Sequence, residues 1–125
     1  MKKVLVRAVV ILVVAVVGVV GLCGHSHLPR TVELPDGRLI INPGSVGLPA
    51  YSDTVAVLPH AMETGSPHAR YAVIERADAG WRVEHVAVPY DWEAASLAAA
   101  SNGRTDWAEW LRTGRASVTL DGGLS

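Results

Sequence analysis

Apolar positions are distributed very unevenly along this chain. Lys2, Lys3 and Arg7 precede a run from Ala8 to Cys23 that contains no charged side chain. A basic start followed by an apolar run is the pattern of an export signal or a membrane anchor. The run is nevertheless shorter than the roughly 18–20 residues that span a bilayer comfortably. No A-x-A-like cleavage site follows, and Val20-Gly21-Leu22 puts no small residue directly before Cys23, as lipid acylation would require. A buried strand is the alternative, because Val19 to Cys23 is rich in β-branched side chains and ends at Gly24. An artefact of chain definition is the third. The expectation put to the structure is an extended Val19–Cys23 leading straight into the loop that follows.

Beyond Gly24 the pattern changes to short alternating segments separated by turn residues. Thr31 to Leu34 and Leu39 to Ile41 flank Pro35-Asp36-Gly37-Arg38 and predict a hairpin. Val46 to His68 is interrupted by Pro49, Pro59 and Pro67, and reads as loop with at most a short strand at Thr54 to Leu58. Tyr71 to Arg76 and Trp81 to Val88 flank Ala77-Asp78-Ala79-Gly80 and predict a second hairpin. In it Trp81, Val83, His85 and Ala87 share a face. Asp91 is placed to cap a helix from Trp92 to about Ser101, ended by Asn102-Gly103. Asp106 is placed to cap another, in which Trp107, Trp110 and Leu111 form an apolar stripe and Gly114 is the stop. Hairpins followed by helices make an α+β arrangement. The organisation read from this pass is a hydrophobic segment over 1–23, a folded part over 24–114, and a loose tail over 115–125.

Composition narrows the function classes slightly. A chain of 125 residues is one domain at most. A formal charge of -1 offers nothing that suggests a nucleic-acid-binding surface. Cys23 is the only cysteine, so no internal disulfide framework exists.

The chemistry is concentrated in Gly24-His25-Ser26-His27. In an extended backbone residues i and i+2 project to one side, so an H-x-H at a strand end sets two imidazoles together. They could ligate one zinc-like ion, or one ion each of a metal pair. Two neighbouring histidines are equally compatible with a solvated loop. His60 and His68 lie among prolines, and His85 sits within a strand as a surface or half-buried residue. Glu93 and Asp106 suit helix first turns, and the tryptophans at helical spacing suit a core.

Taken with its surroundings the motif says more. Gly24-His25-Ser26-His27-Leu28-Pro29, then a short hairpin, then Ile41-Asn42-Pro43-Gly44-Ser45-Val46-Gly47, resembles the closing segment of the calcineurin-like metallophosphoesterases. It is closest to their bacterial phosphodiesterase-like branch, and the resemblance runs from Val19 to Gly114. It implies the C-terminal part of a four-layer α/β sandwich. It implies His25 as a ligand of one divalent metal and His27 as a ligand of the other, the pair being manganese, iron, zinc or nickel. Gly24 makes room for the turn, and Asn42, Pro43, Gly44 and Ser45 form a structural turn beside the site. Asn42 is expected only to satisfy local backbone groups. In the complete family metal-activated water attacks a small phosphoester.

The family also uses a D-x-H, a G-D and a G-N-H-[DE] motif, and this sequence has none of them. The carboxylate that bridges the two metals and the histidine that assists the leaving group therefore have no counterpart, and the chain is expected to be inactive alone. A complementing N-terminal half would restore the site, and self-association is the other partner expected. The alternative is a non-enzymatic metal- or partner-binding module, attached to a membrane through residues 8–23 or secreted.

Overall fold

The computed structural model describes residues 16–17, 20–55 and 57–116. The basic start, most of the apolar run before Val20, and residues 117–125 of the tail lie outside the described residues. The fold is α+β, with several hairpins and two helices. Its residues group into two compact units. One takes in the described chain up to Val46 and Ala69–Val88, the other Gly47–His68 and the chain from Pro89 onward.

The first unit is built on a small mixed sheet. Strands β1 (Val16–Val17), β2 (Val20–Leu22), β3 (Arg30–Glu33) and β4 (Leu39–Asn42) lie in the order β1-β2-β4-β3. Pairs β1–β2 and β3–β4 are antiparallel, while β2 runs parallel to β4 with Leu22 opposite Ile41. The expected strand before the histidine loop is thus present over Val20–Leu22, and the expected hairpin is β3–β4. Its turn closes through Leu34 N–H to Arg38 carbonyl at 2.7 Å and Gly37 N–H to Leu34 carbonyl at 2.8 Å. The Asp36 carboxylate accepts from the Arg38 backbone N–H at 3.1 Å and from its guanidinium at 2.7 Å. The backbone bond, with the guanidinium in support, holds the Asp36 carboxyl below its ordinary pKa. Leu39 and Ile41 project to one side of β4 and are buried, Ile41 completely.

Strands β5 (Ala69–Ala77) and β6 (Gly80–Val88) form the second expected hairpin, with Ala77 opposite Gly80. Trp81 and Val83 are half-buried while Arg82 and Glu84 are exposed, but the expected face does not continue: His85 and Ala87 are exposed and Val86 is half-buried. Thr31 Oγ1 and His85 Nε2 lie 2.9 Å apart and tie this hairpin to β3.

The second unit corrects the reading of Val46–His68 as loop. Strands β7 (Ala50–Asp53) and β8 (His60–Glu63) pair antiparallel, Tyr51 opposite Met62. No strand forms at the described residues 54, 55, 57 and 58. Asp53 Oδ1 accepts from Val55 N–H at 3.0 Å and starts a turn there, leaving Val55, Val57 and Leu58 exposed at the tip. Pro49 and Pro59 each stand just before a strand begins, where no ladder bond is lost.

Helix α1 (Trp92–Ser101) begins as expected, with Asp91 Oδ1 accepting from Ala94 N–H at 3.0 Å. Helix α2 (Thr105–Thr113) does not begin at Asp106. Arg104 occupies the cap position, and the Asp106 carboxylate lies in the first turn, bound to that guanidinium at 2.7 and 2.9 Å. Trp107 is correspondingly exposed, its ring covered by Arg104, whereas Trp110 and Leu111 are buried. Small side chains bring the helices together: buried Ser96 donates to the Ala108 carbonyl at 2.7 Å. Trp110 packs with Ala50 and Ala116, and Leu48 and Tyr51 lie against them. Ala116, at the start of the expected loose tail, is buried and donates to Glu63 Oε1 at 2.7 Å.

Gly114 ends α2 in the left-handed region at φ 65°, its N–H bound to the Trp110 carbonyl at 2.8 Å. A Cβ there would stand 2.3 Å from Ser66 N and 2.4 Å from Ser66 O. Gly103 has a similar φ of 76° with nothing within 4 Å. Gly114→Ala should therefore destabilise by roughly 3 kcal/mol or more and Gly103→Ala by about 1 kcal/mol, because backbone overlap adds to the left-handed penalty only at the former. Denaturant unfolding of the two variants checks this. Equal losses would disprove the close approach of Gly114 to Ser66.

Candidate functional site

Strand β2 delivers the chain to the histidine loop: Cys23 N–H donates to the Ile41 carbonyl at 2.9 Å, extending the parallel pairing beyond Leu22. Extension stops at Gly24. His27 N–H turns back to the Gly24 carbonyl at 3.2 Å, and His27 itself lies in the left-handed region at φ 56°. This corrects the expectation of an extended H-x-H. The i, i+2 alternation that would set both imidazoles on one side does not apply across a turn. A left-handed histidine costs roughly 1–2 kcal/mol, so its surroundings must hold it there.

The surroundings are supplied by Asn42. This side chain is buried at 6 % exposure. Its Nδ2 donates to Ser26 Oγ at 2.8 Å, while its Oδ1 accepts from Gly44 N–H at 3.0 Å. The expectation that Asn42 serves only local backbone groups is half met: one end does so, and the other reaches across to the middle of the histidine motif. Ser26, to which the sequence pattern assigns no role, is the anchor point.

The turn at 42–45 is packed as tightly. Pro43 followed by Gly44 at φ 89° has the residue order of a type II turn. A Cβ on Gly44 would stand 2.9 Å from Arg70 Cβ, 3.4 Å from Arg70 Cδ and 3.5 Å from the His27 carbonyl oxygen. The Ser45 carbonyl accepts from Arg70 N–H at 3.0 Å. Gly44 thus lies where the histidine loop and the stem of Arg70 meet. Nothing in the sequence spacing marked Arg70, which becomes adjacent only through the pairing of β5 with the turn.

On the sheet face shared by Asn42 and Ile40, a cavity of about 270 Å³ opens beside the loop. It is lined by Cys23, Ser26 and Asn42 together with Leu28, Val32, Ile40 and Arg30. Val32 and Ile40 are substantially exposed.

His25 is exposed and His27 half-buried. The other described histidines have partners of their own. His60 Nδ1 lies 3.1 Å from the Leu58 carbonyl, with its ring edge-on to Tyr51. His68 pairs with Ser66 Oγ and tilts against Trp92 at 5.4 Å. His85 is held by Thr31. Among the described residues no group of three or more His, Cys, Asp or Glu side chains converges as a metal site. Two imidazoles alone do not make a complete dinuclear centre. No helix among the described residues is long and apolar enough to cross a membrane. Neither protein-family models, nor characterised proteins, nor solved structures give a match to this chain.

The two bonds of Asn42 have unequal substitutes. Asn42→Ala should destabilise by about 2 kcal/mol and Ser26→Ala by about 1 kcal/mol, since both break the bond that joins the loops and only the first also leaves Gly44 N–H unmet. Amide exchange at Gly44 should accelerate in Asn42→Ala and not in Ser26→Ala. Identical exchange in the two variants would show that the carboxamide does not hold the turn.

Proposed function

We propose that this chain carries the closing ligand segment of a calcineurin-like metallophosphoesterase. His25 and His27 contribute to a divalent-metal centre whose remaining ligands come from residues outside this sequence, and the substrate is a phosphoester. On this reading the first unit belongs to the C-terminal portion of a four-layer α/β sandwich. The observation that carries it is the Asn42 bridge. It joins Gly24-His25-Ser26-His27 to Asn42-Pro43-Gly44-Ser45, the two motifs on which the family resemblance rests, although sixteen positions separate Ser26 from Asn42. A solvated histidine loop has no need of a buried carboxamide to fix it. The half-open apolar cavity supports the reading too, because an element completing the site has a surface there to cover.

By itself the chain does not fit a full metal pair. A catalytic zinc-type site uses three protein ligands, and two cations close together need a bridging carboxylate. No hydrolytic step is assigned to these residues alone. Their part is to present ring nitrogens in fixed positions, and the left-handed turn at His27 sets where the second one stands. Ligation needs a deprotonated nitrogen, so acidification weakens it. Imidazole suits manganese, iron, zinc and nickel alike.

Titration with Mn²⁺ should broaden the ring signals of His25 and His27 before those of His60, His68 and His85, and the effect should fade as the pH is lowered. The purified chain should release no p-nitrophenol from bis-p-nitrophenyl phosphate. With a polypeptide bearing the D-x-H, G-D and G-N-H motifs bound to it, activity should appear. It should then drop in His25→Ala or His27→Ala by more than the roughly 10–100-fold typical of losing an outer-shell partner. Turnover by the chain alone, or a stable complex that stays inert, would overturn the reading.

A further inference from the structure

Four of the eight arginines among the described residues have an ion-pair or ring partner. Arg38, Arg82 and Arg104 pair with Asp36, Glu75 and Asp106, and Arg76 lies over the Trp81 ring at 5.6 Å. Arg70 differs. It has no ion pair among the described residues, and its Nε is buried with no hydrogen-bond acceptor. A buried donor left unmet costs about 1–3 kcal/mol, and more when the group is charged. The stem leading to that nitrogen is fixed. Its Cβ and Cδ are held against Gly44, and its backbone N–H is bound to the Ser45 carbonyl. The same glycine lies against the His27 carbonyl. A guanidinium with an unfilled N–H is therefore anchored beside the loop that bears both candidate metal ligands. Its planar fork matches two oxygens of a tetrahedral oxyanion, which a lysine in that place would not.

We propose that Arg70 is the oxyanion-binding residue of this site, its guanidinium donating to a phosphoryl oxygen of the ligand beside His27. The identity of the anion rests on the phosphoester reading; the choice of residue rests on the packing at Gly44. Arg70 then does for the ligand's charge what no other described residue of the histidine loop or the 42–45 turn can do. It is a cation whose own neighbours leave its donor unmet. Substitution at Gly44 is a second route to the same site, since a methyl group there would push against the arginine stem.

The test uses the full chain freed of metal by chelation and titrated with inorganic phosphate at constant ionic strength. The Nε–H resonance of Arg70 should shift saturably, together with the amides of Gly44 and His27, and chloride should produce no such shift. Arg70→Gln should abolish the shifts at Gly44 and His27, and Arg70→Lys should weaken phosphate binding several-fold while keeping the charge. His25→Ala and His27→Ala should retain metal-free phosphate binding even as they lose Mn²⁺. A chain that binds Mn²⁺ through the histidines but shows no saturable Arg70 shift overturns this inference and leaves the metal reading standing. A chain that shows the Arg70 shift but binds no Mn²⁺ does the reverse. If Arg70→Gln fails to fold, the wild-type titration still decides, because an unmoved Nε–H signal at high millimolar phosphate sinks the proposal.

Discussion

A primary carboxamide offers a donor at one end and an acceptor at the other, about two ångströms apart, and can therefore join two pieces of chain that lack complementary groups of their own. Asn42 is used in this way. Its amide nitrogen takes the Ser26 hydroxyl and its oxygen takes the Gly44 N–H. Because the residue is buried, neither end can exchange its protein partner for water without a penalty of about 1–3 kcal/mol. The histidine loop and the 42–45 turn are thus positioned as one body. The left-handed backbone of His27, the close approach of Gly44 to Arg70 and the cavity lined by Ser26 and Asn42 all lie around that joint.

The rest of the molecule shows why such joints matter. In the first unit the buried hydrophobic side chains among the described residues are Leu39 and Ile41, and in the second Ala50, Met62, Trp110, Leu111 and Ala116. Small cores leave little surplus over conformational entropy. Turns closed by specific donors, and glycines that let backbone touch backbone, then carry a larger share of the fixing of geometry. Ser96 reaching the Ala108 carbonyl is the helical counterpart of Asn42.

What was legible in the sequence was local. The pattern around Asp36-Gly37 gave β3–β4, that around Ala77–Gly80 gave β5–β6, and Asp91 marked the start of α1, because each signal acts within a few residues of itself. Proline misled at Val46–His68, since Pro49 and Pro59 introduce strands there rather than interrupt them. Asp106 misled because a carboxylate two residues after an arginine has a better partner than the helix end, and Trp107 went to the surface with it. At the site, the histidines and the asparagine turn were visible, but their relation was not. The turn at 25–27 comes with the Asn42–Ser26 bond, a contact between distant positions that spacing within the motif does not show. Arg70 was invisible for the same reason: its meaning comes from Gly44 and not from its neighbours in sequence.

The parallel pairing of β2 with β4 has a consequence for how the chain could be handled in a cell. Val20–Leu22 and the Cys23 N–H together occupy one edge of the strand that carries the wholly buried Ile41 and ends at Asn42. A protease that trimmed the chain just before Gly24, as it would an export leader, would strip that edge. The sheet would shrink to the β3–β4 hairpin and lose the strand that aims the histidine loop. Leader and strand are thus rival uses of the same residues. Val20–Cys23 can be discarded in transit or kept as scaffolding, and only a chain that keeps them has its histidines delivered by a paired strand.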